Sequence, residues 1–133
     1  MEIELNRGVD EILFGMTESN IIDLIGPPNK IVLDGYGNRD LIYNKLELVL
    51  KIELENGSTL GWIEVHNRES RWNDINPWIL KRAEFLDLLS TNLEDFYESE
   101  DYGYMESYSF CNQWVELQYE FDSLTSFNFG SCK

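Results

Sequence analysis

LELVLKIELENGSTLGWIEVH, residues 46 to 66, decides the fold, because apolar and polar residues alternate on both sides of Asn56-Gly57. Such alternation is typical of strands that bury one face, and Asn-Gly is a preferred centre of two-residue hairpin turns. A type I′ turn at this dipeptide would place Leu50 opposite Ile63. Both arms then bury the same face, so the stretch predicts a β-hairpin in that register.

The segment before this hairpin carries the end signals of a short helix. In FGMTESNIIDLIGPPNK, residues 14 to 30, Thr17 is a good N-cap and Gly26 fits the position after the last turn. The two prolines that follow prevent continuation of the helix. KIVLDGYGNRDLIYN, residues 30 to 44, then predicts two short strands around a glycine-rich turn.

A second series of the same kind begins near residue 76. WILKRAEFLDLLSTN, residues 78 to 92, has helical spacing, and two strands are predicted around Tyr102-Gly103. WVELQYEFDSLTSFNFG, residues 114 to 130, predicts a hairpin with a loop of odd length, such as Asp122-Ser123-Leu124. The side of the helix expected to be buried consists of Ile79, Ala83, Leu86 and either Leu88 or Leu89.

This order of elements predicts one α+β domain over residues 1–133. Helix, strands and hairpin occur twice, so we expect pseudo-repeats at about 9–70 and 76–130. The predicted architecture is a tandem repeat of a helix followed by antiparallel strands, which form one sheet with two helices packed on one face.

The strand sequences GWIEVH, residues 61 to 66, and QWVELQ, residues 113 to 118, resemble each other without being equivalent in the repeat. Alternation directs Trp62 and Trp114 away from the helices, where polar residues are expected. Either a loop such as residues 67 to 76 covers these tryptophans, or they anchor a partner, because Trp is enriched at binding hot spots.

The acidic charge is concentrated in the second half of the chain. Residues 83 to 132 contain eleven acids and no Lys or Arg, whereas residues 1 to 82 contain 14 acids and 9 bases. The formal net charge of -15 repels nucleic acids and anionic membranes and attracts basic partners. The acids form either a solvated face that maintains solubility or a surface for a basic partner.

ILFGMTESNIIDLIGPPNKIV, residues 12 to 32, resembles the opening of a known helix–strand unit. The unit is that of the β-lactamase inhibitor protein fold and of the related outer-membrane assembly lipoproteins of the BamE type. The matching positions are Leu13, Phe14, Gly15, Met16, Thr17, Ile21, Leu24, Ile25, Gly26 and Pro28. Residues 76 to 90 lack the Phe-Gly-Met-Thr signature, so the second copy rests on its pattern alone.

The resemblance implies a protein that binds another protein. Members of this fold that are secreted or lipid-anchored carry a signal peptide, whereas MEIELNRGVDE at residues 1 to 11 has no such features, so we expect a cytoplasmic location. Small acidic proteins of this size also resemble bacterial immunity proteins, which neutralise the toxins of contact-dependent growth inhibition and polymorphic toxin systems. Many such toxins are basic nucleases, and their charge would complement that of this chain.

The residues give little support to enzymatic chemistry. His66 is the one histidine, without a neighbouring nucleophile in sequence, and no phosphate-binding loop, dinucleotide fingerprint or zinc-protease motif is present. We therefore expect no catalysis, no cofactor and no metal site. Cys111 and Cys132 are expected to be free thiols unless their strands meet.

The leading hypothesis is a non-catalytic immunity protein, monomeric on its own, that binds and blocks a basic toxin domain. The alternative is a structural or assembly accessory protein of the BamE-like fold that binds another protein without inhibiting it. The partner-binding residues predicted from the acidic segment, residues 94 to 106, are Glu94, Asp95, Glu98, Glu100, Asp101, Tyr102, Tyr104 and Glu106. Those predicted from the open face of the sheet are Trp62, Glu64, Trp114, Glu116 and Glu120.

Overall fold

The computed structural model describes residues 1–131, and within this range the chain forms twelve strands and two α-helices. The helices are α1 (Glu18–Ile25) and α2 (Arg82–Leu93). The strands, in chain order, are β1 (Glu2–Glu4), β2 (Gly8–Val9), β3 (Ile12–Leu13), β4 (Lys30–Leu33), β5 (Arg39–Tyr43), β6 (Leu48–Glu53), β7 (Thr59–Val65), β8 (Arg71–Trp72), β9 (Glu98–Asp101), β10 (Glu106–Phe110), β11 (Val115–Glu120) and β12 (Ser123–Gly130).

The predicted α+β class, a tandem helix–strand repeat with a single sheet, is wrong. The chain is mostly β, with 43% strand and 18% helix, and its strands form two sheets. A small sheet has the order β3-β2-β1-β8, and a large one has the order β4-β5-β6-β7-β12-β11-β10-β9. The small sheet was not expected because its strands have only two or three residues, too few to show a period of two.

The large sheet is entirely antiparallel and consists of two four-stranded meanders, β4–β7 and β9–β12. They join where β7 pairs with β12, in a register that places Ile63 opposite Phe129. Both of these residues are fully buried. The central strands of the sheet are therefore contributed by the two halves of the chain.

One face of the large sheet, which we call the core face, is covered. Phe127 and Phe129 point to this face, as the sequence predicted, and Phe127 contacts Phe85 of α2 at a ring-centroid distance of 5.8 Å. Phe85 in turn contacts Trp72 of the small sheet at 6.0 Å. Phe14, just before α1, contacts Phe129 at 5.6 Å. We call the opposite face the outer face.

Helix α1 has the end signals that the sequence predicted. The Thr17 hydroxyl accepts a hydrogen bond from the Asn20 backbone N–H at 3.1 Å, and Gly26 follows the helix with a φ of 85°. Helix α2 begins at Arg82, which is later than predicted. Ile79 consequently lies outside it and is 79% exposed. The buried residues of α2 are Phe85, Leu86 and Leu89.

The β6–β7 hairpin has the predicted register but not the predicted turn. Leu50 lies opposite Ile63, as expected. The connection is a 3-10 turn at Leu54–Asn56 rather than a two-residue loop, and the register shifts at Gly61, which is the extra residue of a bulge. Leu54 lies in this 3-10 turn, after the end of β6, so it is not one of the residues that β6 buries on the core face. It is 55% exposed.

The β11–β12 hairpin also contains a bulge, but its turn is shorter than predicted rather than longer. Its loop is the two-residue pair Phe121-Asp122, with φ values of 48° and 67°, so the predicted three-residue loop is wrong. The odd residue is instead Thr125, in a bulge of β12 where the register with β11 shifts beyond Gln118. The Thr125 hydroxyl donates to the Gln118 carbonyl at 3.0 Å, which holds the bulge.

Replacement of Phe121 by Asn is expected to stabilise the protein by about 0.5–1 kcal/mol, because Asn tolerates the left-handed backbone better than other side chains with a Cβ. Phe121 is 85% exposed, so little buried area is lost. Urea denaturation measures the change. The matched control is Phe96→Asn, since Phe96 is 92% exposed but has no positive φ. Equal effects of the two substitutions would contradict the turn-strain argument.

Candidate functional site

The outer face of the large sheet carries a cluster of polar side chains on its central strands. The register aligns Glu64 of β7, Asn128 of β12 and Glu116 of β11 side by side. Ser126 and Gln118 are paired one step further along β12 and β11. We call these five residues the polar cluster. Two of its members, Glu64 and Glu116, were predicted from the sequence as partner-binding residues.

Hydrogen bonds connect part of the polar cluster. One carboxylate oxygen of Glu116, Oε1, accepts from Gln118 Nε2 at 3.1 Å and from Asn128 Nδ2 at 3.3 Å. The Asn128 side chain therefore points into the cluster. These bonds fix the orientation of the Glu116 carboxylate and of both amides.

Two buried oxygens of the polar cluster have no hydrogen-bond partner among the described residues. They are Oδ1 of Asn128, a residue that is 1% exposed, and Oγ of Ser126, which is fully buried. An unpaired buried polar group costs about 1–3 kcal/mol. The cluster thus has unused hydrogen-bonding capacity beside two carboxylates.

Glu64 is the electrostatically unusual member of the cluster. Burial raises the pKa of its carboxyl above the ordinary value, and the negative charges of Asp40 and Glu116 raise it further. His66 and Lys51 act in the opposite direction. A positive charge placed between Glu64 and Glu116 would offset both the burial and the mutual repulsion of the two carboxylates.

Two tryptophans lie on the outer face next to the polar cluster. A Cβ added to Gly130 would lie 2.7 Å from Cε3 of Trp62 and 3.1 Å from Cε3 of Trp114, so both rings rest against this glycine. Trp114 is 49% exposed and lies in the turn before β11, with a φ of 55°, rather than within the strand as expected. The absence of a side chain at Gly130 allows the two rings to occupy the same part of the face.

The loop predicted as a cover for these tryptophans is directed elsewhere. Within residues 67 to 76, strand β8 pairs with β1 of the small sheet. Trp72 of this segment is buried against Phe85, on the core face. Residues 71 and 72 therefore do not cover Trp62 and Trp114, and partner anchoring by these tryptophans stays a prediction.

A shallow cleft connects the tryptophan pair with the polar cluster. Its volume is about 270 Å³. It is lined by Trp62, Ser109, Phe110, Cys111, Trp114, Val115 and Glu116. Cys111 is an exposed free thiol, whereas Cys132, its predicted alternative partner, lies outside the described residues. The cleft opens the Glu116 side of the cluster to solvent.

Part of the acidic segment continues the outer face. Strand β9 forms the edge of the large sheet, and all four of its residues are exposed. Glu98 pairs with Ser109, which pairs with Glu116, and Glu100 is aligned in the same way with Ser107 and Gln118. Glu98 and Glu100 therefore lie in line with the polar cluster. The Tyr102 hydroxyl donates to the Glu100 carboxylate.

Other predicted residues of the acidic segment do not reach the outer face. Glu106 turns to the core face, where its carboxylate is 2.9 Å from the Arg82 guanidinium of α2 and accepts from the Tyr108 hydroxyl. Asp101, directly opposite Glu106, shares that side of the sheet.

The ends of the acidic segment and of β11 account for the remaining predicted residues. Glu94 caps the C-terminus of α2 with a φ of 51°. Asp95 accepts from Asn112 at 3.2 Å. Tyr104 is 64% exposed in the turn between β9 and β10. Glu120, at the exposed end of β11, alternates with Tyr119 and so lies on the outer side of the strand.

Sequence reasoning missed Asn128, Ser126 and Gly130, which lie at alternate positions of β12. In SFNFG, residues 126 to 130, two phenylalanines that fill the core face leave these residues on the outer face. The alternation was visible in the sequence. Their near-complete burial was not, because it depends on the larger side chains of β7 and β11 on either side.

The described residues contain no group of three or more His, Cys, Asp or Glu side chains that could hold a metal ion. Neither α-helix in this part of the chain is long and apolar enough to cross a membrane.

No protein-family model matches this sequence, and no curated protein matches it. The chain is similar in structure to an extracellular protein containing an SCP domain from Bacillus anthracis str. Ames, with a TM-score of 0.51 and 15% sequence identity. The match covers 96% of this chain and 49% of that one, so this chain spans about half the length of that protein. At this identity the similarity concerns the fold alone.

The cytoplasmic location that the sequence favoured stays a prediction. The resemblance to the β-lactamase inhibitor protein and BamE-type lipoproteins stays a prediction. The site is thus described by its own geometry, namely an acidic, partly aromatic face whose central polar groups are incompletely paired.

Replacement of Glu64 by Gln is expected to stabilise the protein at about pH 7 and to have little effect at about pH 4. A raised pKa means that the folded state binds the proton more tightly than the unfolded chain. The stability contributed by protonated Glu64 is complete below the ordinary pKa of 4.5 and is lost as the pH rises through the raised value. Gln keeps the neutral form at every pH.

Urea denaturation at both pH values measures this difference. The control is Glu55→Gln, which makes the same substitution at the exposed tip of the β6–β7 hairpin. A wild-type protein that is as stable as the Glu64→Gln variant at about pH 7 would show that Glu64 is not destabilised by burial.

Proposed function

We propose that this chain is a non-catalytic binding protein that holds a basic protein partner on its outer face and along strand β9. The observation that supports this most directly is the alignment of Glu98, Glu116 and Glu64 across the outer face, beside two tryptophans. Both helices lie on the other side of the sheet: α2 contacts Phe127, and α1 ends at Gly26, which accepts from buried Tyr43.

The distribution of charge supports a basic partner. Eleven acids and no Lys or Arg lie between residues 83 and 132, and β9 places Glu98, Glu100 and Asp101 on one exposed edge strand. Like charges packed this closely repel each other. A basic partner would relieve this repulsion, and long-range attraction would accelerate its association.

Exposed aromatic side chains supply anchors for the same partner. Trp114 and Phe121 lie at the two ends of β11, both exposed and both with a left-handed backbone. Residues with strained backbone conformations cluster at active sites, ligand-binding sites and switch regions. Tryptophan in particular contributes much of the affinity where it is desolvated by a partner.

In its specific form, the proposal is that the chain is an immunity protein and that the partner is a basic toxin domain, such as a nuclease. The acidic outer face would bind the basic groove in which such a toxin holds nucleic acid and would exclude the substrate from it. This step rests on charge complementarity and on the likeness in size and acidity to bacterial immunity proteins.

A second candidate is an accessory module that holds another protein without inhibiting it. This candidate rests on the resemblance of residues 12 to 32 to the BamE-type lipoproteins. The two candidates share the binding surface and differ in what binding does to the partner. An inhibitor abolishes the activity of its partner, whereas an accessory module leaves that activity intact.

A pull-down of the protein encoded directly upstream, at low and at high salt, separates these candidates. A retained basic toxin domain whose activity is lost on binding and whose retention weakens with salt supports the immunity function. A retained protein that keeps its activity supports the accessory function. Failure to retain any basic protein would contradict both.

Reversal of Glu98, Glu100 and Asp101 to Lys is expected to weaken binding of that partner roughly tenfold or more, mainly through slower association. Surface plasmon resonance measures both rate constants. The matched control reverses three exposed acids near the small sheet, Glu2, Glu11 and Glu69, and changes the net charge equally. Equal losses in the two variants would assign the effect to net charge rather than to β9.

A further inference from the structure

We propose that the outer face binds one arginine side chain of the partner, with its guanidinium between Glu64 and Glu116 and next to the rings of Trp62 and Trp114. This inference rests on the proposed function and adds the chemical group that the site recognises. It is supported by the acceptors of the polar cluster, by the tryptophan pair and by the cleft that joins them.

The polar cluster offers acceptors to a ligand that has only donors. The carboxylates of Glu64 and Glu116 flank Asn128, whose Oδ1 has no partner among the described residues although the side chain is 1% exposed. The hydroxyl oxygen of Ser126 is also unpaired and fully buried. A guanidinium group has five N–H donors and no acceptor, so it matches this set of groups.

The tryptophan pair favours a planar cation over a compact one. Both rings rest against Gly130, the last residue of β12, whose register partner on β7 is Trp62. Guanidinium stacks on aromatic rings and is less strongly hydrated than ammonium. Arginine therefore uses the rings and the carboxylates together, whereas lysine would use mainly its charge.

The cleft provides an entry of suitable size. It connects Trp62 and Trp114 with Glu116 and has a volume of about 270 Å³. At about 30 Å³ per water, that volume corresponds to roughly nine water molecules. It can therefore hold a guanidinium and the end of its aliphatic chain. The Glu116 carboxylate, already oriented by Gln118 and Asn128, is an acceptor in the lining of this cleft.

Other occupants fit the cluster less well. An anion would be repelled by Glu64 and Glu116. A metal ion lacks a group of three suitable ligands within residues 1–131. A proton on Glu64 is the strongest competitor, because burial and the Glu116 charge favour it. A proton on Glu64 would supply a single hydrogen-bond donor, however, and it would not interact with the tryptophan pair or occupy the cleft.

The inference is tested by titrating the full chain with capped Gly-Arg-Gly and capped Gly-Lys-Gly peptides, followed by NMR. The reporters are the indole N–H groups of Trp62 and Trp114 and the side-chain amides of Gln118 and Asn128. We expect saturable shifts of these four signals with the arginine peptide and an affinity roughly tenfold or more lower for the lysine peptide.

Variants locate the binding within the cluster. Glu116→Gln is expected to weaken arginine-peptide binding roughly fivefold or more, and the control Glu55→Gln, with the same change of charge on an exposed hairpin tip, is expected to leave it unchanged. Should Glu116→Gln disturb the fold, as judged by its backbone amide spectrum, Trp114→Leu tests the same site from the exposed ring. Unchanged affinity in a folded variant of either kind would overturn the inference.

The remaining outcomes also decide the matter. Equal shifts with both peptides, centred on β9, would reduce the effect to general attraction by acids and overturn the arginine site. Signals of Asn128 that respond to pH but not to peptide would identify a proton as the occupant. Salt-sensitive retention of the partner without any peptide effect would reject the arginine site and leave the proposed function standing, whereas loss of both would reject both.

Discussion

The pairing of β7 with β12 is the interaction on which the rest of the structure depends, because it joins two meanders that are distant in sequence into one sheet. Four residue pairs form this ladder, among them Ile63 with Phe129 and Val65 with Phe127. All four of these side chains are fully buried. A slip by one residue would move them to the outer face and expose the core, so the hydrophobic contribution fixes the register strongly. The two helices and the small sheet then cover a face that the ladder has already defined.

The same constraint places the polar cluster at the centre of the outer face. With Phe127 and Phe129 committed to the core, strict alternation leaves no position for Asn128 and Ser126 except between β7 and β11 on the opposite side. There, the side chains of the neighbouring strands shield them from water almost completely. Glu64 and Glu116 are their nearest neighbours in register. The register of β12 therefore explains both the burial of Asn128 and Ser126 and the closeness of the two carboxylates.

Local pattern was sufficient for the features that depend on alternation or on capping. The N-cap Thr17, the opposition of Leu50 and Ile63, and the outward direction of Trp62 and Glu64 all follow from neighbours within a few residues. The fold class did not follow. The small sheet pairs β1 with β8 in parallel, and these strands are far apart in sequence and too short to show any period. Helix α1 has the predicted bounds, whereas α2 begins later than the sequence pattern implied.

The bulges illustrate the same limit at the level of single residues. Gly61 and Thr125 each add one residue to a strand, and the turn next to each adapts, so that both hairpins keep their core residues aligned. Alternation predicts that alignment, but it does not show whether the odd residue lies in the loop or in the strand. The burial of Asn128 could not be predicted from alternation either, because it depends on side chains that only the assembled sheet brings together.

Unsatisfied polar groups occur on both faces of the large sheet, and their surroundings distinguish them. On the core face the Tyr119 hydroxyl is unpaired among apolar and aromatic neighbours such as Tyr108, and burial raises its pKa well above the ordinary value. That group remains neutral and costs only its own lost hydrogen bond. On the outer face the Asn128 side chain, whose oxygen is unpaired, lies in register between Glu116 and Glu64, and the charge of Glu64 is itself costly to bury. A donor-rich cation would donate a hydrogen bond to the Asn128 oxygen and would also offset the negative charge beside it. Tyr119 remains neutral, so a ligand there would have no charge to offset. This physical asymmetry between the two faces supports our proposal that the partner binds to the outer one.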